Sequence, residues 1–120
     1  MSDPKRHDAL AAEMAKRADE LTHLTQDLIR IPTLNPPGQY YHDICNMLAE
    51  RLARTGWQVE LLRAEGALAD SETYPRWNVV ARLEGTRPGE CVHFNGHHDV
   101  VEAGHGWTVD PFAGTMRDGK

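Results

Sequence analysis

The sequence predicts an α/β fold, with helices packed on a central, mostly buried sheet. Three observations carry that reading. Two stretches, 8–30 and 40–55, repeat their apolar residues at helical spacing. Three short runs, 57–61, 78–83 and 91–95, are either apolar throughout or alternate apolar with polar, as strands do. Stretches rich in proline and glycine punctuate them. With 120 residues the chain is long enough for one small domain with a core of its own.

The first helix is expected over 8–30. Leu10, Met14, Ala18, Leu21, Leu24 and Leu28 recur at spacings of three and four, with Lys16, Arg17, Asp19 and Glu20 between them. This stripe should face the core and leave His23 on the helix surface. Pro32 ends the helix at or before Ile31, because a proline disfavours helical geometry in the residue ahead of it. The next stretch, P-T-L-N-P-P-G at 32–38, reads as a stiff connector that can also wall a cleft.

A second helix follows over 40–55. Tyr41, Ile44, Cys45, Leu48 and Leu52 form its stripe, His42 is exposed near its first turn, and Gly56 is its stop. Trp57, Val59 and Leu61 then alternate with Gln58 and Glu60, the pattern of a strand with one wetter face. A polar, acidic loop spans 66–75, and N-V-V-A-R-L at 78–83 makes a second strand. The turn E-G-T-R-P-G leads to a third strand, C-V-H-F-N at 91–95, in which His93 faces neighbouring side chains. Beyond residue 100 the many glycines indicate a long loop, with one short strand near 115–117 and a hairpin turn at Asp118-Gly119. The partner strand of that hairpin would lie past residue 120, so the sequence reads as part of a longer chain.

Composition narrows the functional classes. Hydrophobic residues at 40% and charged residues at 26% are ordinary for a soluble globular protein. A net charge of -5 without a Lys/Arg cluster argues against a nucleic-acid surface. No apolar run approaches the length of a membrane span. The polar opening M-S-D-P-K-R-H-D leads into no apolar segment of a secretory leader, so a cytoplasmic setting is expected. Cys45 and Cys91 form no disulfide pattern and are expected to be buried thiols.

The chemistry concentrates where the third strand runs into G-H-H-D-V-V at 96–101. Side chains alternate along an extended chain, so His97 and Asp99 share one face and His98 takes the other. His97 is the candidate metal ligand. Asp99 can orient that imidazole or ligate a metal itself. Their place at the carboxyl end of a strand is where ligands of open α/β sheets gather. A catalytic zinc ion takes about three protein ligands, so one strand end does not complete a site. His105, between glycines, and the carboxylates Glu102 and Asp110 read as solvated loop residues.

G-H-H-D-V-V at 96–101, W-T-V-D-P-F at 107–112 and R-D-G-K at 117–120 together resemble the zinc-dependent amidohydrolases and exopeptidases. That family includes acetylornithine deacetylase, succinyl-diaminopimelate desuccinylase, aminoacylase and the glutamate carboxypeptidases. L-I-R-I-P-T-L-N-P-P-G and L-A-E-R-L-A-R-T-G-W-Q-V-E agree with it in order and spacing, so the resemblance covers nearly all of the chain after about residue 20. It implies that residues 1–120 are the N-terminal portion of a catalytic domain. His97 would be the first zinc-ligand histidine, and Asp99 the catalytic-site aspartate that holds this imidazole and tunes the metal. His98 occupies the family's variable position. The resemblance further implies two divalent ions, zinc with cobalt or manganese as substitutes, and a homodimer when full length. The other ligands, a glutamate base and a lid domain would lie beyond residue 120, leaving this portion inactive alone. The implied substrate is an N-acyl amino acid or small peptide cleaved at its amide C–N bond. An aminohydrolase acting on a non-peptide C–N bond and a non-catalytic ligand-binding relative are the alternatives. E-A-G-H-G-W at 102–107 departs from the many relatives that carry a proline after the two valines.

Overall fold

The computed structural model describes residues 4–119. Met1 to Asp3 at the polar opening, and Lys120 at the end of R-D-G-K, lie outside them. The elements in order are α1 (Pro4–Lys16), α2 (Ala18–Ile29), α3 (Tyr41–Arg54), β1 (Gln58–Arg63) and β2 (Trp77–Arg82). They fall into two compact units, one comprising the residues up to Arg30 and those from Gly106 onward, the other Ile31–His105. No helix among the described residues is long and apolar enough to cross a membrane.

In the first unit, the single helix expected over 8–30 is two helices that meet at Arg17, whose φ of -103° and ψ of 13° leave the helical region. Neither helix buries a residue, and Leu10 and Met14 are 65% and 49% exposed. The core-facing expectation for this stripe is therefore corrected. An apolar stripe shows which face a helix would bury, but covering it takes a second surface. The charged residues between pair along the helix instead, Lys16 and Arg17 with Glu13 at 3.2 and 3.8 Å. Gln26 Nε2 donates to the carbonyl of Gly114 at 2.6 Å and Arg30 Nε to that of Ala113 at 3.2 Å. The strand expected near 115–117 does not form. Asp118 and Gly119 do form a turn, with φ of 51° and 75°, the left-handed pair that a tight hairpin turn requires.

The second unit is built on α3. Its stripe buries Tyr41, Ile44 and Cys45, and the helix packs against both strands. Gly56, at φ 87°, ends it as expected, and its N–H bonds the carbonyl of Ala53 at 3.0 Å. β1 and β2 pair antiparallel, from Gln58 opposite Arg82 to Arg63 opposite Trp77. Each strand is half-buried on one face and exposed on the other, as the alternation in β1 predicts. Asp70 organises the connection between them, accepting hydrogen bonds from the backbone N–H groups of Arg76 at 2.9 Å and Gly66 at 3.2 Å. Those bonds, the Arg76 one foremost, hold its carboxyl below the usual carboxylate range.

The sheet differs from the expectation. Among the described residues it has two strands and is half-buried on one face, so a central, mostly buried sheet is not seen in them. Residues 91–95 form no strand and pair with none among the described residues. Val92 and Phe94 are 74% and 85% exposed, and Cys91 is exposed where a buried thiol was expected. His93 is exposed as well. A strand is stabilised by its ladder and by what covers its faces, and an apolar run alone provides neither.

Candidate functional site

The segment 32–38, expected to be largely a plain connector, is what seats G-H-H-D-V-V. Leu34 and Val100 form a parallel bridge, in which Asn35 N–H donates to Val100 O at 2.9 Å and Val100 N–H to Thr33 O at 2.9 Å. Thr33 is 2% exposed, and its hydroxyl donates to the carbonyl of His98. The backbone of 98–100 is thereby stitched to that of 33–35. Gly38 and Gln39 close the turn, both N–H groups donating to Leu34 O, at 2.8 and 3.0 Å. Tyr40, at φ 56°, then turns the chain into α3.

On this frame the alternation of side chains holds. His97 and Asp99 lie together, and His98 points inward. Asp99 Oδ1 is 3.1 Å from His97 Nδ1, and the Asp99 carbonyl is 2.9 Å from the same nitrogen. Both oxygens accept and neither donates, so Nδ1 carries the proton and the Nε2 lone pair is left open. The His97 side chain is 85% exposed and that of Asp99 30%. The other carboxylate oxygen, Oδ2, accepts from Asn35 Nδ2 at 2.8 Å and from the Tyr41 hydroxyl at 3.0 Å. The Asn35 bond is the main reason the Asp99 carboxyl is held below the usual range, with the Tyr41 bond adding to it. Burial first, and the neighbouring Asp99 second, push the Tyr41 phenol above its ordinary value, so it stays a neutral donor.

His98 meets a different environment. Its ring lies edge-on to Tyr41, with centroids 4.7 Å apart and planes at 86°. Nε2 is 3.2 Å from the Trp77 carbonyl, an acceptor, so this nitrogen carries the proton; Cys45 Sγ is 3.6 Å away. Nδ1 is buried without a hydrogen-bond partner among the described residues. Burial pushes the Cys45 thiol up to about 11, which keeps it protonated and unreactive at neutral pH.

The arrangement thus presents one exposed imidazole nitrogen, backed by an ionised carboxylate that three side chains hold. Such a nitrogen can accept a proton or ligate a metal. Among the described residues, no group of three His, Cys, Asp or Glu side chains could hold a metal ion. His93, Glu102 and His105 are exposed and take no part in the pair. Asp110 is exposed too, and it accepts the Phe112 N–H at 2.8 Å, which closes a local turn. Asn35, Thr33 and the hydroxyl of Tyr41 escaped the sequence reading as site residues. Only Tyr41 left a signal, because a tyrosine on a buried stripe needs a partner for its hydroxyl.

The chain is similar to succinyl-diaminopimelate desuccinylases. It is 37% identical to that of Methylobacterium radiotolerans over 103 residues, 84% of this chain and 24% of the relative. It is 38% identical to that of Acinetobacter baylyi over 105 residues, 86% of this chain and 24% of the relative. With that of Bordetella avium the identity is 41% over 98 residues, 80% of this chain and 22% of the relative. The chain therefore matches about a quarter of the length of these relatives. No family model and no solved structure matches it.

Proposed function

Because this chain belongs to the family of the succinyl-diaminopimelate desuccinylases, we propose that the whole protein hydrolyses the amide C–N bond of an N-acylated amino acid. These residues would be the first part of its catalytic domain. N-succinyl-diaminopimelate, the substrate named by the relatives, is the first compound to test. The observation that carries the reading is the Asp99 clasp on His97 Nδ1, which leaves Nε2 open and exposed. Metal-ligating histidines commonly give their other N–H to a carboxylate, and that fixes both tautomer and ring orientation.

The residues present fit a metal ion at one point. His97 would ligate through Nε2, and Asp99 would hold the ring and raise its basicity. A hydrolytic zinc takes about three protein ligands and an open position, so residues outside this cluster would complete the site. Zinc, or cobalt or manganese in its place, supplies Lewis-acid polarisation of the scissile carbonyl when bound. Asn35 and Tyr41 keep Asp99 ionised and fixed, and Asp99 directs the His97 proton to Nδ1. A second divalent ion, homodimer formation and a cytoplasmic setting belong to the same reading.

The test uses the full-length protein. His97→Ala should lose bound metal, measured by mass spectrometry, together with turnover of N-succinyl-diaminopimelate. His93→Ala, a change at an exposed residue of the neighbouring segment, serves as the control and should keep both. Wild-type metal content in His97→Ala would remove the ligand assignment. No turnover of any N-acyl amino acid by the wild-type protein would remove the proposed reaction.

A further inference from the structure

We infer that Arg76 is a positioning residue for the His97–Asp99 pair, acting through Asn35 and Tyr41; the inference rests on the reading of His97 as a metal ligand. The argument begins with the Asn35 amide. Its two ends have nearly the same shape, so its neighbours decide which end faces which way. Asp99 Oδ2, an acceptor only, sits 2.8 Å from Nδ2 and demands the NH₂ end. Arg76 Nη1, a donor only, sits 3.4 Å from Oδ1 and demands the oxygen end. A flipped amide would set oxygen against carboxylate and NH₂ against guanidinium. Arg76 and Asp99 therefore hold the amide in one orientation from opposite sides.

Arg76 seats the second donor as well. Its Cζ lies 5.0 Å from the centroid of the Tyr41 ring, whose hydroxyl is the other group bonded to Asp99 Oδ2. One guanidinium thus braces both side chains that donate to Asp99 Oδ2. Arg76 is itself firmly placed. Its backbone N–H donates to Asp70 Oδ1 at 2.9 Å, and its carbonyl accepts from Ala64 N–H at 2.7 Å. Nε donates to Ala69 O at 3.1 Å, and Nη2 to Pro37 O at 2.9 Å. The guanidinium also lies against the bare Cα of Gly38, where a Cβ would collide with Nη1 and come within 2.7 Å of Cζ. Three acceptors and a ring face around one planar group suit arginine and no other cation, since a lysine ammonium cannot span them. Asp99 in turn holds the Nδ1 proton of His97, so the position of Arg76 reaches the open Nε2 through two intervening side chains.

The test again uses the full-length protein, stripped of metal, with zinc affinity read by competition with a chelating dye. Arg76→Met should weaken zinc binding by about 10-fold, the low end of the effect of losing an outer partner of a metal ligand. Arg76→Lys should recover little of this. In an Asp99→Asn background, Arg76→Met should have almost no further effect, because the path it acts through is already broken. An equal loss in both backgrounds would overturn the inference, as would wild-type affinity in Arg76→Met. Asn35→Asp keeps an acceptor for Arg76 but no donor for Asp99. It should reproduce the loss even if Arg76→Met fails to fold, and wild-type zinc affinity in Asn35→Asp would count against the inference. Failure of the underlying metal reading is seen separately, as undiminished zinc binding in His97→Ala. In that case the tautomer of His97 in the metal-free protein, read from its ring nitrogen shifts, decides. The Nδ1–H form should dominate in the wild type and lose its dominance in Arg76→Met and Asn35→Asp; unchanged shifts in both variants would overturn the inference.

Discussion

Residues 91–95 and 97–100 are separated by Gly96 alone, and the partners they find differ. Val92 and Phe94 are 74% and 85% exposed, with no ladder on either side among the described residues. A few positions on, the backbone of 98–100 is stitched to 33–35, and Asp99 is held by Asn35, Tyr41 and His97. The first segment is the more apolar and the less buried. Apolar character makes burial favourable, but an available partner surface decides whether it happens. Polar side chains at 97–99 find such partners because α3 brings Tyr41 and Cys45, and the turn before it brings Thr33 and Asn35.

The largest effect that would test this contrast lies in the core. Ile44 is 3% exposed and Phe94 85%. Ile44→Ala should destabilise the protein by about 2–5 kcal/mol, while Phe94→Ala should stay within about 0.5 kcal/mol. Urea unfolding of the two variants checks this, and equal losses would break the comparison.

The two cysteines offer the next largest effect. Cys45 is buried with its thiol pushed up to about 11, and Cys91 is exposed. At pH 8 a thiol so raised holds about a hundred-fold less thiolate than an ordinary cysteine. Maleimide labelling followed by peptide mapping should modify Cys91 quickly and leave Cys45 almost untouched. Comparable rates at the two residues would show that the expected burial is wrong.

Within the held segment, Asp99→Asn should keep the fold and weaken metal affinity by about 10- to 100-fold. Unchanged affinity would reduce the clasp on His97 to a local contact. The smallest effect is on pH dependence. Asp99 and Asp70 both have carboxyls lowered in the folded state. The stability they contribute is therefore fully present above the ordinary carboxylate value of about 4 and is lost as pH falls through their folded values. An acid titration followed by circular dichroism should show a shallower loss below about pH 4 in Asp99→Asn than in the wild type. A superimposable curve would argue that the carboxylate of Asp99 contributes nothing to the fold.

What the sequence determined by itself is what short repeats can encode. The period of Tyr41, Ile44 and Cys45 marks the buried face of α3, and Gly56 marks its end. Alternation places β1 and an apolar run places β2, each to within one or two residues, and alternation separates His97 and Asp99 from His98. G-H-H-D-V-V, with the stretches that accompany it, pointed to the family. Only the tertiary structure decided that Arg17 interrupts the first helical stripe, that no residue of this stripe is fully buried, and that 91–95 finds no ladder among the described residues. It alone decided that Thr33, Asn35, Tyr41 and Arg76 surround Asp99 and its neighbours. The physical reason is range. Periodicity reflects neighbours within a turn or a pleat, whereas the partners of Asp99 lie 64 and 58 positions away, at Asn35 and Tyr41. A hydrogen bond across such a separation leaves no mark on the local pattern at either end, because an asparagine in a proline-rich turn and a tyrosine on a helix stripe are ordinary where they stand.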